Sequence, residues 1–179
     1  MNDSVSDIKA LANPVNPSSF VLGDTADPTG EPTPYYIAFT CSADPRRKFG
    51  QREFHELSPT EQKGIYYCAL KDMFRKYKQS YGFKTMIIHY ELDKSEKVHC
   101  HGYVDCKESI VGYDVPKLEI MSYIHKVIGR KGNRKNVSCL VKWLDGEKNK
   151  LKEWEEYCNK SNVLKKSKII NTNILNYIK

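Results

Sequence analysis

At 179 residues with 40% hydrophobic content, the chain fits one domain with a tail and can bury a real core. Its 29 Lys and Arg against 22 Asp and Glu give a formal charge of +7, a balance that suits a polyanionic partner such as DNA or RNA without establishing one. Six cysteines without a CxxC pair exclude a disulfide scaffold and read as reduced thiols, and no apolar run is long enough to span a bilayer or to serve as a secretory signal, so the expected setting is intracellular.

Residues 1–34 are rich in Pro, Ser, Asp, Asn and Thr, and "NPVNPSS" and "DPTGEPTP" block helix and strand alike, so this stretch is expected to be a flexible leader. Order is expected to begin with a strand at "YYIAFTCS", residues 35–42. "SPTEQ" then offers Ser58 as N-cap, Pro59 at the first helical position and Glu61 for a capping box. The helix should bury Ile65, Cys68, Ala69, Met73 and Tyr77 and stop near Gly82, leaving Lys71, Arg75 and Lys78 on a solvated face. "KTMIIHYEL" and "KVHCHGYVDC" read as two strands joined by "DKSEK". "VPKLEIMSYIHKVIG" has helical spacing, "GRKGNRKN" is a basic turn and "VSCLVKWL" is a further strand. A last helix over "GEKNKLKEWEEYCNKS" should turn Leu151, Trp154 and Cys158 inward, ahead of a basic end, "LKKSKIINTNILNYIK". "LKKSK" has the composition of a nuclear-targeting patch, although a basic solvated end is the commoner explanation for such a run.

The two-strand hairpin carries the chemistry. Side chains alternate along a strand, so His99 and His101 share one face while Val98, Cys100 and Val104 take the other. With "DKSEK" as the connection, Leu92 falls opposite Val98, Glu91 opposite His99 and His89 opposite His101. Two imidazoles and a carboxylate within cross-strand reach make a candidate metal site with open positions, as catalytic sites have. A polar strand face without metal is the alternative. A zinc finger would need Cys106, Cys139 or His125 recruited from elsewhere. In the late helix Tyr157 and Lys160 lie three residues apart on one side, a tyrosine that can attack phosphorus and a lysine that can offset the phosphate's charge. Alone, that pair reads as an exposed tyrosine beside a solvated lysine.

In combination, "FTCSA", "HYEL…VHCHGYV" and "EYCNKS" stand in the order and spacing of the HUH endonucleases, and the chain most resembles the replication initiator, Rep, of circular single-stranded DNA viruses of eukaryotes. The resemblance spans roughly residues 35–162. It implies an α+β fold, an antiparallel central sheet flanked by helices and related to the RNA-recognition fold. It implies Mg²⁺ or Mn²⁺ held by Glu91, His99 and His101, with His89 outside the ligand set. Tyr157 is then the nucleophile that nicks and rejoins single-stranded DNA at an origin stem-loop through a 5′-phosphotyrosine link. Lys160 steadies the phosphate, while Phe39 and Thr40 help to hold DNA. Arg130 and Lys131 in the basic turn either contact DNA or sit in a solvated loop. Cys100 stands where the family usually has a bulky apolar residue, and about 55 residues separate His101 from Tyr157, longer than in the smallest members. No GxxxxGK[ST] occurs, so residues 163–179 are expected to lead to a helicase domain not included in this chain, with any oligomer formed through it; the expected compartment is the host nucleus and no membrane partner is implied. Two other readings stay open. One is a non-enzymatic single-stranded nucleic-acid-binding module that stacks bases on Tyr35, Tyr36, Phe39 and Tyr103, and the other is a transposase or plasmid initiator with the same single-tyrosine chemistry.

Overall fold

The structure, a computed structural model, describes residues 35–106, 114–129, 139–144, 148–159 and 168–176. The expected leader and the side chains of Arg130, Lys131 and Lys160 lie outside these residues.

The fold is α+β. Among the described residues the strands are β1 (Tyr35–Cys41), β2 (Lys48–Phe49), β3 (Arg52–Glu53), β4 (Phe83–Leu92), β5 (Val98–Cys106), β6 (Cys139–Leu144) and β7 (Lys168–Asn176), and the α-helices are α1 (Pro59–Tyr81), α2 (Asp114–Ile128) and α3 (Lys148–Asn159). β2 and β3 form a small hairpin, and the other five strands form one sheet in the order β6-β1-β5-β4-β7, antiparallel throughout. β7 pairs with β4 from Leu92↔Lys168 to Thr85↔Asn176, so the sheet extends past residue 162, where the sequence reading ended the domain. The reason it was missed is local. "KIINTNILN" mixes Ile and Thr, which favour strands, with three Asn, which do not, and in the fold it pairs with β4.

One sheet face is the core. Ile37, Phe39 and Cys41 of β1, Met86, Ile88 and Tyr90 of β4, and Val98, Cys100, Val104 and Cys106 of β5 are all buried there with α1 and α2. α1 begins as the capping box requires: the Ser58 hydroxyl accepts from the Glu61 backbone, and the Glu61 carboxylate accepts from the Ser58 backbone at 2.8 Å. It ends at Gly82 in the left-handed region, φ 59° and ψ 33°, a conformation that glycine adopts at little cost. Its buried stripe is Gln62, Tyr66, Ala69, Leu70, Met73, Phe74 and Tyr77. Cys68, expected inside, is exposed, because the helix turns its larger rings at Tyr66 and Phe74 toward the sheet and a thiol carries less apolar area to bury.

α1 also fixes where β5 starts. Gln62 accepts from the Val98 backbone at 2.9 Å and donates to the Leu57 carbonyl at 2.8 Å, while the buried Tyr66 hydroxyl donates to the Val98 carbonyl at 2.9 Å and accepts from Ala43 at 2.7 Å. The residue held by these bonds precedes His99. Further along β5, a Cβ on Gly102 would sit 2.6 Å from the Phe39 ring and clash with the Ile87 carbonyl, so only glycine lets β1, β4 and the Phe39 ring close up there.

Candidate active site

The hairpin register is the one the loop length predicted, with Leu92↔Val98, Glu91↔His99 and His89↔His101. β1 lies on the other side of β5, with Thr40 opposite His101. Alternation therefore gathers Thr40, His89, Glu91, His99 and His101 on the sheet face away from the core.

On that face the imidazole–hydroxyl contact of His101 runs straight across the strands and its imidazole–carboxylate contact runs diagonally. His101 Nε2 lies 3.2 Å from Glu91 Oε2, and its Nδ1 lies 2.9 Å from the Thr40 hydroxyl. His99 Nε2 lies 3.0 Å from Asp93 Oδ2, and its Nδ1 lies 2.7 Å from the Ser42 hydroxyl. Each imidazole thus stands between a hydroxyl from β1 or the residue after it and a carboxylate from β4 or the loop after it. The Glu91–His101 pair is buried, with side chains 8% exposed, whereas the His99 and Asp93 side chains keep 34% and 30%. Glu91, directly opposite His99 by backbone register, reaches past it to His101.

The expected trio of Glu91, His99 and His101 is therefore on one face but divided between two pairs. Among the described residues, no three His, Cys, Asp or Glu side chains gather into a ready-made metal site. The residue types nonetheless suit a hard divalent ion: two imidazoles and two carboxylates. Cys41, Cys100 and Cys106 sit in the core on the opposite face, whereas Cys158 of α3 is buried on this side. His89 is buried on the site face, and burial, reinforced by the neighbouring His101, pushes its pKa down, so it is held neutral.

α3 brings the tyrosine. The Trp154 indole donates to the Gly102 carbonyl at 3.0 Å, and the Tyr103 hydroxyl donates to Glu155 at 2.6 Å. Two β5 anchors thus hold the helix on the site face, and Cys158 is buried beneath it. Tyr157 stacks on Trp154 with ring centroids 5.1 Å apart and meets the His101 ring edge-on at 5.5 Å. It remains 42% exposed. Burial first, then the charge of Glu91 and the nearby Cys158, push the Tyr157 phenol above its usual pKa, so it is a protonated phenol at neutral pH.

Two residues assigned to DNA differ in setting. Phe39 is 1% exposed in the core, so its ring is not available to stack on a base. Thr40 directs its hydroxyl at His101. The aromatic platform of the binding-module reading is likewise reduced: Tyr103 is buried and bonded to Glu155, with the Tyr36 ring edge-on at 5.8 Å. Ser42 and Asp93 were missed, although the signal was present. Each lies two residues beyond a residue already singled out, Thr40 and Glu91, and so shares its face.

No protein-family model, no curated protein and no solved structure matches this chain.

Proposed function

We propose that this chain is an HUH-type endonuclease domain of a viral replication initiator, which nicks and rejoins single-stranded origin DNA through a covalent link to Tyr157. The observation that carries the reading is the juxtaposition of Tyr157 with His101, ring centroids 5.5 Å apart, beside the buried Glu91–His101 pair. A nucleophilic phenol, two imidazoles and two carboxylates on one side of an antiparallel sheet form a set that phosphodiester transfer can use. The basic balance of the chain, +7, fits a polyanionic substrate.

Glu91 and His101, with His99 beside them, would hold Mg²⁺ or Mn²⁺. A divalent ion there supplies positive charge that polarises the scissile phosphate and offsets the Glu91 charge now opposing ionisation of Tyr157. The Tyr157 hydroxyl oxygen attacks phosphorus as the bond to the 3′-oxygen breaks. The phenol proton leaves, the 3′-oxygen gains a proton, and the products are a 5′-phosphotyrosine and a free 3′-hydroxyl. Attack by a 3′-hydroxyl on that ester reverses the balance and rejoins a strand. Trp154 stacks on the nucleophile and limits its rotation, which is how α3 lowers the entropic cost of reaching the phosphate.

Denaturing electrophoresis of protein incubated with stem-loop single-stranded oligonucleotides, with Mn²⁺ or with EDTA, tests the reading. The expected result is a slower band that survives denaturation, needs the metal and is lost in Tyr157→Phe. Binding of the oligonucleotides without metal and without any adduct, unchanged in Tyr157→Phe, would favour the non-enzymatic module.

A further inference from the structure

α3 touches β5 at three consecutive residues. The Tyr103 hydroxyl donates to Glu155 Oε1 at 2.6 Å, the Trp154 indole donates to the Gly102 carbonyl at 3.0 Å, and the Tyr157 ring centroid stands 5.5 Å from that of His101. We propose that the Tyr103–Glu155 bond sets the place of the nucleophile, with Glu155 a positioning residue that acts on Tyr157 through the seat of α3 on β5; this rests on the phosphotyrosine reading above.

Three observations lead there. The first is proximity along the helix: Glu155 and Tyr157 are neighbours but one, about 3 Å apart along a helix axis, so a displacement at one is delivered to the other with little loss. The second is the direction of the two bonds. Successive residues of an α-helix project about 100° apart around the axis, so Trp154 and Glu155 tie α3 to the sheet from different sides. A helix tied by Trp154 alone could roll about that one bond. The bond from Tyr103 fixes the roll, and with it the bearing of Tyr157 toward His101.

The third is the rigidity of the donor. Tyr103 is buried on β5 and its ring meets the Tyr36 ring edge-on at 5.8 Å, so the hydroxyl is presented from a fixed place. Burial first, then the bond to Glu155, push the Tyr103 phenol above its usual pKa, so it keeps the proton that it donates. A short hydrogen bond to a carboxylate is among the stronger contacts a side chain makes. Cys158, three residues beyond Glu155, is buried, so its accessibility reports whether α3 is seated.

Single-turnover rates of adduct formation with Mn²⁺ and a saturating stem-loop oligonucleotide test this in the whole chain as wild type, Tyr103→Phe, Glu155→Ala and Glu155→Gln. The oligonucleotide Kd with EDTA and iodoacetamide labelling of Cys158 are measured on the same proteins. Phenylalanine keeps the ring and loses the donor, whereas glutamine keeps an oxygen that accepts and loses the charge. Tyr103→Phe and Glu155→Ala are expected to slow adduct formation by about tenfold or more and to speed labelling of Cys158, with Kd within about twofold of wild type. Glu155→Gln should stay within about threefold of the wild-type rate. Wild-type rates in Tyr103→Phe and Glu155→Ala, Glu155→Gln as slow as Glu155→Ala, or slowing matched by an equal loss of affinity overturns the positioning role while leaving the tyrosine chemistry in place. A wild type that binds the oligonucleotide and forms no adduct removes the phosphotyrosine reading and the inference with it.

Discussion

The two faces of the five-stranded sheet are built from the same strands and the same alternation, yet they solve opposite problems. On the face under α1 and α2, Ile37, Phe39, Met86, Ile88 and Tyr90 are excluded from water, and burial of apolar area is what they contribute. On the face under α3, Glu91, His89 and His101 are each only 6% exposed, and burying such groups is unfavourable unless each finds a partner. The hydroxyl–imidazole–carboxylate rows provide those partners for the histidines of β5. Apolar residues would stabilise the same sheet more simply, so these groups are not what holds it together.

Breaking each face should give different signatures. The largest stability loss is expected from Phe39→Ala, about 3–5 kcal/mol in urea unfolding, because it empties a fully enclosed site. If Phe39 held DNA instead, stability would hardly change and oligonucleotide affinity would fall. Gly102→Ala should follow at about 1–3 kcal/mol, since the added methyl meets the Phe39 ring and the Ile87 carbonyl in a packed interior. By contrast, Tyr157→Phe on the other face should leave the unfolding midpoint within error, the residue being 42% exposed.

Smaller effects sharpen the picture at its edges. Hydrogen bonds from Arg52 first, then from Ser58, hold the Glu61 carboxyl down at about 2 from an ordinary 4.5. A depressed carboxyl stabilises the folded state above its unfolded value and loses that contribution as pH falls toward its folded one. Melting temperature should therefore decline as pH drops from about 4.5 toward 2, and Glu61→Gln should flatten part of that decline. Smallest of all is a chemical labelling difference. Iodoacetamide at neutral pH should modify exposed Cys68 well before Cys106 and Cys158, whose thiols burial pushes up to about 12. Rapid labelling of Cys158 would place α3 off the sheet.

The local rules were legible in the sequence. Ser58, Pro59, Glu61 and Gly82 bound α1 as their cap chemistry dictates, and a five-residue connection fixed the register of β4 on β5. What alternation cannot give is where a side chain reaches once it is on the right face. Glu91 bonds diagonally to His101 because the next loop supplies Asp93 to His99, and that choice depends on the loop's own hydrogen bonds. Phe39 illustrates the same limit: a motif marks the residue, but its burial follows from the missing side chain at Gly102 across the sheet. β7 needed a partner strand before its asparagines read as anything but loop.

The central claim is that Tyr157 is the atom-transferring residue among the twelve tyrosines of the chain. Protein reacted with a stem-loop oligonucleotide and Mn²⁺, then digested with nuclease and protease and mapped by mass spectrometry, locates the attachment directly. The account predicts a nucleotide-bearing peptide modified at Tyr157 and absent when EDTA is present. Modification at any other tyrosine, or none under conditions where the DNA is bound, would contradict it.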